Sequence, residues 1–210
     1  MPGPHAATSA CAGDCLAVHL QEGESKGLLF DVSLPISGTI GTYIACPPGT
    51  TPEFLKEKKA KRVILWACDV YGPRFINNQL LMDWHASNGQ SRYAANEMSI
   101  AEPGDIDYLV ISPDYFHGEE LDTFRSNPGF DLTEWISKFK TVVKDENDND
   151  MDRTSLLLKE WVAKVKEMYG GPDTTYAIVG EYEVLQVVLP SNDITLGRLL
   201  LRCPVRHGVL

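Results

Sequence analysis

Short runs of apolar residues recur along the chain and give the clearest structural signal in the sequence. Near-continuous apolar segments occupy residues 62–68 (RVILWAC), 108–112 (YLVIS) and 175–179 (TYAIV). Segments of this length, with little alternation of polar residues, are typical of parallel strands that are covered on both faces. A further strand is predicted at residues 42–46 (TYIAC), where two prolines stop it.

Helices are predicted between these strands, because apolar residues recur there every three or four positions. The first helix has Asn77 as a candidate cap and Gly89 as a candidate end. The second begins at Asp131, which forms a capping-box pattern with Glu134. The third occupies residues 154–169 and ends at a pair of glycines.

The alternation of strands and helices predicts an α/β fold with a mostly parallel sheet and flanking helices. In such sheets, binding and catalytic residues lie beyond the carboxyl ends of the strands. Residues 69–72 (DVYG), residues 114–117 (DYFH) and the residues after Gly180 are therefore the candidate site positions.

Two polar segments interrupt this pattern. Residues 90–107 are long for a link between a helix and a buried strand, and we expect an insertion there. Residues 144–152 (KDENDNDMD) are acidic but lack the glycine and the late glutamate of an EF-hand loop. We therefore expect a solvated loop at this segment rather than a calcium site.

Composition limits the classes of function. The chain has 210 residues, 43% of them hydrophobic, and a formal net charge of -10. This size suits one domain, and the charge argues against nucleic acid or an anionic membrane as the partner. No apolar run approaches the roughly 20 residues that span a bilayer. Residues 1–15 are predicted to be a flexible tail without a secretory signal, and five sparse cysteines favour a cytoplasmic protein with reduced thiols.

Five segments together resemble the dienelactone hydrolase family, of the kind common in fungi. They occur in the family's order and with similar spacing: 66–72 (WACDVYG), 75–83 (FINNQLLMD), 108–118 (YLVISPDYFHG), 129–135 (GFDLTEW) and 176–180 (YAIVG). The resemblance implies that residues 16–180 are the N-terminal portion of an α/β-hydrolase domain. It also implies a cysteine-dependent hydrolase that acts on a small-molecule ester or lactone and needs no cofactor or metal.

The chain departs from the family pattern at Gly180. The family continues with Gly-Tyr-Cys-Phe-Gly, a nucleophile elbow that presents a reactive thiol above a helix N-terminus. This chain continues with residues 181–183 (EYE), and residues 181–210 hold no place for the aspartate and histidine of a triad, so we expect an aberrant tail. Neither Cys68, predicted as a buried core thiol, nor Cys203, which has no elbow around it, replaces the nucleophile.

A retained intron is our hypothesis for this departure. Residues 180–182 (GEY) can be encoded by bases that contain a splice-donor sequence, and an AG within the codon of Arg198 can serve as the acceptor. Splicing from this donor to this acceptor would shift the reading frame of the bases that encode residues 198–207 (RLLLRCPVRH). In the new frame these bases can encode Gly-Tyr-Cys-Phe-Gly-Ala-Pro-Tyr-Val. Residues 90–107 are open to two explanations, a second intron retained in frame or a natural surface insertion.

The resemblance assigns roles to four residues that match family positions. Asp69 matches an acidic residue that helps to control the ionisation of the nucleophile, and the backbone N–H of Val70 matches an oxyanion-hole donor. Tyr71 would line the mouth of the pocket, and His117 is a candidate substrate contact. The structural alternatives are a loop cap or a salt-bridge partner for Asp69 and simple exposure for His117. The family's arginine after this strand is missing, so we do not expect a dicarboxylate-like substrate.

The sequence leaves three functional hypotheses open. The first is a hydrolase of carboxylic ester or lactone bonds. The second is a non-catalytic truncated product, since the chain as given lacks the nucleophile. The third is a flavodoxin-like binding module, which needs a phosphate-binding turn after the first parallel strand. Residues 69–73 suit that turn poorly, because they offer one glycine, a proline and a negative charge.

Overall fold

A computed structural model of the protein describes residues 21–47, 50, 59–94, 106–121, 128–139 and 141–180. The strands in these ranges are β1 (Leu28–Leu34), β2 (Gly38–Ala45), β3 (Ala60–Ala67), β4 (Ile106–Pro113), β5 (Val142–Lys144), β6 (Asp150–Asp152) and β7 (Thr175–Gly180). The helices are α1 (Ile76–Ala94), α2 (Leu132–Phe139) and α3 (Arg153–Tyr169).

Five of the strands form one sheet in the order β1-β2-β4-β3-β7. β3 pairs in parallel with β4 and with β7, whereas β1 pairs with β2 and β2 with β4 in antiparallel fashion. The three strands predicted from apolar runs are therefore confirmed, with ends that differ by one or two residues. The described part of the sheet is mixed, because the β1–β2 hairpin adds an antiparallel pair that the sequence did not predict.

Helices cover both faces of this sheet. On one face, Met82 and Ala86 of α1 pack with Ile64, Trp66 and Val110 of the strands. On the other face, α2 and α3 pack against the alternate side chains of the same strands. The buried members of that larger cluster include Val63, Leu65, Leu109, Trp135, Leu157 and Trp161. Cover on both faces explains why β3 and β4 are apolar almost throughout. A mixed sheet with this strand order and with flanking helices fits an α/β-hydrolase-like fold.

Two of the helices begin at aspartates that accept hydrogen bonds from the first turn. Asp131 Oδ1 accepts from the backbone N–H groups of Thr133 at 2.7 Å and Glu134 at 3.1 Å, which confirms the predicted cap of α2. Asp152 Oδ1 accepts from the N–H of Ser155 at 2.9 Å, so α3 starts one residue before the predicted position. Both contacts satisfy donors that have no partner within the helix.

The prediction that Gly89 ends the first helix is wrong, since α1 continues to Ala94. A glycine inside a helix costs only about 1 kcal/mol relative to alanine. The hydrogen bonds of an added helical turn offset a penalty of that size.

The acidic segment at residues 144–152 is exposed, as predicted, but it has regular structure. β5 and β6 pair as a short antiparallel hairpin. In its turn, the carboxylate of Asp145 accepts from the backbone N–H groups of Asn147 at 2.8 Å and Asn149 at 2.9 Å. These two bonds, which favour the charged form, lower the pKa of Asp145. The clustered Asp and Asn residues are the turn signal that the sequence interpretation missed.

Three predicted features lie outside the described residues. They are the tail at residues 1–15, the aberrant segment at residues 181–210 and most of the expected insertion at residues 90–107. Among the helices that are described, none has the length and apolar character needed to cross a bilayer.

Candidate functional site

The register of the parallel strands brings three strand ends to one edge of the sheet. Leu65 of β3 pairs with Ile111 of β4, and Ala67 of β3 pairs with Gly180 of β7. The segments that follow these strands hold all of the predicted site positions, so they start from the same edge. The segment after β3, residues 68–75, is called the β3–α1 loop below.

Gly180 is a glycine because β7 approaches β3 very closely at its end. A Cβ at Gly180 would overlap the side chain and the carbonyl oxygen of Ala67. The last residue of β7 is therefore held directly beside the start of the β3–α1 loop. The next residue, Glu181, lies outside the described residues.

Asp69 organises the β3–α1 loop. Its Oδ1 accepts from the backbone N–H of Tyr71 at 3.1 Å and from the side-chain amide of Asn78 at 3.0 Å. The same amide donates to the carbonyl oxygen of Gly72 at 2.8 Å. Gly72 has φ of 69°, a left-handed conformation that favours glycine. The contacts of Asp69 are those of the loop cap named as the structural alternative, and its effect on a nucleophile stays a prediction.

Val70 presents its N–H at the turn that Asp69 holds. Its carbonyl oxygen accepts from the N–H of Leu121 at 3.0 Å, which joins this loop to the segment after β4. Within the described part of the chain, no hydrogen bond is made by the N–H of Val70. An N–H that the fold leaves available at a strand end has the property that an oxyanion donor requires.

Tyr71 is buried, and its ring stacks on Phe75 with centroids 4.9 Å apart. Both side chains belong to the core cluster on the α2–α3 face of the sheet. The aromatic stack helps to fix the β3–α1 loop. The predicted place of Tyr71 at the mouth of a substrate pocket stays a prediction.

Cys68 is a core thiol, as the sequence predicted. It is buried at the end of β3, and its Sγ lies 3.2 Å from the Oγ of Ser112. Burial raises the pKa of this thiol, and the nearby carboxylates raise it further. A thiol in such surroundings stays protonated, so Cys68 does not supply a thiolate nucleophile.

A charged cluster that the sequence did not predict braces the β3–α1 loop. The Nε of Arg74 donates to the Oδ2 of Asp114 at 2.8 Å and lies 3.7 Å from the Oε1 of Glu120. Asp114 and Glu120 are both buried, whereas the Arg74 side chain is 50% exposed. Burial raises the pKa of Glu120, and the charge of Asp114 raises it further. Asp114 directly follows a buried strand, which is a signal for a buried carboxylate, but no local pattern pointed to Arg74.

His117 lies at a different place from the other three predicted site residues. Asp69, Val70 and Tyr71 share the β3–α1 loop, whereas His117 stands in the turn after β4. There it lines a pocket of about 250 Å³ to which none of those three contributes. His117 is exposed, as its structural alternative predicted. Its partial burial still lowers its pKa, and the charge of Arg153 lowers it further. The structure thus groups three of the four predicted residues, and the role of His117 as a substrate contact stays a prediction.

Among the residues that the structure describes, no group of three or more His, Cys, Asp or Glu side chains is placed to hold a metal ion.

Comparison with curated proteins shows similarity to a protein named as a hydrolase. The chain is 28% identical over 122 residues to the hydrolase pyvD of Aspergillus violaceofuscus (strain CBS 115571). The aligned residues make up 58% of this chain and 37% of that protein. The chain therefore spans little more than a third of the length of this relative. No family model matches the chain.

Among solved structures, similarity extends to one reported as "Crystal Structure of a Thermostable Esterase". The two chains are 14% identical, the match covers 81% of this chain and 45% of the other, and the TM-score is 0.26. A TM-score of this size is too low to establish a shared fold, so the assignment of the fold class depends on the strand order and helices described above.

Proposed function

We propose that residues 16–180 are the N-terminal part of a hydrolase that cleaves carboxylic ester or lactone bonds, of the dienelactone hydrolase kind. One observation carries this proposal. The packing of Gly180 on Ala67 brings the end of β7 next to the β3–α1 loop, where the N–H of Val70 makes no hydrogen bond to any described residue. A nucleophile placed just after Gly180 would therefore face a ready hydrogen-bond donor.

The similarity to a protein named as a hydrolase supports the same proposal. The antiparallel β1–β2 pair beside β4 also favours a hydrolase-like sheet over the flavodoxin-like alternative, whose doubly wound sheet is mostly parallel. The retained-intron hypothesis adds the nucleophile, since it restores Tyr-Cys-Phe-Gly after Gly180.

The proposed reaction begins with attack by the thiolate of the restored cysteine on the carbonyl carbon of the ester or lactone. A carbon–sulfur bond forms, and the electron pair of the C=O π bond moves to the oxygen. The N–H of Val70 donates to that oxyanion. When the tetrahedral intermediate collapses, the C=O bond re-forms, the carbon–oxygen bond to the leaving alkoxide breaks, and the alkoxide takes a proton from water. The hydroxide that remains attacks the thioester carbonyl, the carbon–sulfur bond breaks, and the acid and the thiolate are released.

In this mechanism Asp69 acts first as a positioning residue. Its carboxylate holds the N–H of Tyr71 and the amide of Asn78, and these contacts fix the turn that presents the N–H of Val70. The previously predicted effect of Asp69 on thiol ionisation would be additional to this. The chain as given has Glu181 in place of the next family residue, so we expect it to have no esterase activity.

Hydrolysis of p-nitrophenyl acetate tests the proposal with three proteins. They are the 210-residue chain, the product of the spliced reading frame, and that product with its elbow cysteine replaced by alanine. We expect hydrolysis only by the second protein, with a burst of p-nitrophenol equal to the enzyme concentration if thioester hydrolysis is slow. An inactive spliced product, or one that is equally active without the cysteine, would refute the proposed function.

A further inference from the structure

A pocket beyond the carboxyl end of β4 has a different chemistry from the edge beside Gly180. It is formed by the turn after β4, the end of α2 and the start of α3, and its volume is about 250 Å³. Its lining includes three aromatic side chains and four polar or charged ones: Tyr115, Phe116, Phe139, His117, Glu119, Lys138 and Arg153. Ligand pockets typically measure about 300–1,000 Å³, so a pocket of this size suits a small ligand with a single ring.

The inner wall of the pocket is aromatic. The rings of Phe116 and Phe139 meet edge to face with centroids 5.0 Å apart, and Trp135 packs behind them at 5.0 Å from each. Leu157 of α3 closes the wall and is itself buried. Interlocked rings of this kind form a rigid surface, which suits a flat apolar body.

The mouth of the pocket carries two cations, Arg153 and Lys138, and one carboxylate, that of Glu119. Among the described residues, no hydrogen bond or ion pair is made by the guanidinium of Arg153. Lys138 contributes an ammonium that lies 3.6 Å from the carboxylate of Glu119, but both side chains are about half exposed. Exposed ion pairs contribute about 0–1 kcal/mol. Lys138 is thus engaged by Glu119 at the rim of the pocket.

His117 is held towards the pocket by a strained turn. Its φ is 53°, a left-handed conformation that is uncommon for a residue other than glycine, and Gly118 follows with φ of 79°. The N–H of His117 donates to the carbonyl oxygen of Asp114 at 3.0 Å, and the N–H of Glu119 donates to that of Phe116 at 2.9 Å. Strain of this kind tends to occur at binding sites. His117 and Arg153 both line the pocket. The pKa of His117 is lowered first by burial and then by the charge of Arg153.

Tyr115 separates this pocket from the edge beside Gly180. Its ring lines the pocket, while its hydroxyl donates to the carbonyl oxygen of Cys68 at the end of β3. Tyr115 therefore stands between the pocket and the β3–α1 loop. Its occupancy does not depend on a nucleophile after Gly180.

We propose that this pocket binds a small organic monoanion with an apolar body, an aromatic monocarboxylate being the best match. The ring lies on the wall formed by Phe116 and Phe139, and the carboxylate lies between Arg153 and His117. The site belongs to the 210-residue chain itself and stands independently of the proposed hydrolase activity.

The proposal is tested by titrating the isotope-labelled 210-residue chain with sodium benzoate and following backbone amide shifts by NMR. Benzamide, which has the same ring without the charge, is the matched probe. We expect saturable shifts at His117, Gly118 and Arg153, and binding of benzamide weaker by about fivefold or more, which corresponds to roughly 1 kcal/mol. Equal binding of the two probes, or no saturation by roughly 50 mM benzoate, would overturn the proposal.

A pair of variants separates the pocket from general charge effects. Arg153→Gln removes the guanidinium at the mouth, whereas Lys159→Gln removes a cation from the same helix that lies near Glu146 instead. We expect Arg153→Gln to weaken benzoate binding by about fivefold or more and Lys159→Gln to change it by less than about twofold. Equal effects of the two substitutions would show screening by surface charge and not a site. If Arg153→Gln loses its folded spectrum, a salt series on the unmodified chain decides instead. Binding that is unchanged between low and high salt would then overturn the proposal.

Discussion

Arg74→Met is the substitution that most directly probes how the β3–α1 loop is held. Methionine keeps an apolar stem but removes the guanidinium that donates to Asp114 at 2.8 Å and lies 3.7 Å from Glu120. The carboxylate of Asp114 has a side-chain exposure of 1%, so it would stay buried without its cation. The loop would lose one of its links to the segment after β4, while the backbone bond from the N–H of Leu121 to the carbonyl oxygen of Val70 would remain.

The size of the effect follows from the exposure of the two partners. Breaking a fully buried ion pair by removing one partner costs about 3–5 kcal/mol, whereas an exposed pair contributes about 0.2–1 kcal/mol. Because the Arg74 side chain is 50% exposed and that of Asp114 only 1%, we expect a value between these limits, about 2 kcal/mol. For a chain of this length that corresponds to a decrease in Tm of about 4–8 °C.

The assay is urea unfolding of both proteins, followed by tryptophan fluorescence. Lys159→Met is the matched control, because Lys159 lies 3.4 Å from Glu146 in a pair whose side chains are 52% and 65% exposed. We expect the control to change the free energy of unfolding by less than about 0.5 kcal/mol. A loss for Arg74→Met no greater than that of the control would refute the reasoning. Adding Asp114→Asn should recover part of the loss, since the orphaned charge is then removed.

Two further predictions concern buried polar groups. Burial and the charge of Asp114 raise the pKa of Glu120 above the ordinary value of 4.5, so the folded state binds its proton more tightly than the unfolded state does. The contribution of this tighter proton binding to the free energy of unfolding is fully present below pH 4.5. It is lost as the pH rises through the raised pKa. Urea unfolding across that range should therefore show Glu120→Gln gaining stability relative to the unmodified chain, and a constant difference would contradict the prediction. Tyr43→Phe should cost about 1–3 kcal/mol, since the tyrosine hydroxyl donates to the carboxylate of Asp83 at 2.8 Å and accepts from the N–H of Gly27 at 3.0 Å. Unchanged stability in the same assay would show that this bond contributes nothing.

The sequence predicted those strands whose apolar composition by itself indicates that both faces are buried. β3 and β4 are apolar almost throughout because helices cover both of their faces, and this signal is local. β1 was missed because it lies at the edge of the described sheet, where three of its seven residues are exposed. Its pairing with β2 also depends on contacts outside its own segment. Gly89 misled the prediction of a helix end, since glycine permits a helix to stop but does not require it.

The candidate site was predictable only where residues close together in the sequence form the turn. The loop after β3 holds Asp69, Tyr71 and Gly72 within a few residues of one another, and their contacts are local. The bond from Arg74 to Asp114 spans 40 residues, and no periodic pattern links the two. Likewise, the pocket around His117 depends on Arg153 of α3, whose position relative to β4 is set by packing of the whole helix.

The sequence of the spliced transcript across the codon of Gly180 tests the central claim most directly. The account predicts that Gly180 is followed by Tyr-Cys-Phe-Gly in a longer reading frame, which places a thiol beside the N–H of Val70. A transcript that encodes residues 181–210 as given would contradict it. The hydrolase resemblance would then describe the ancestry of the chain and not its activity.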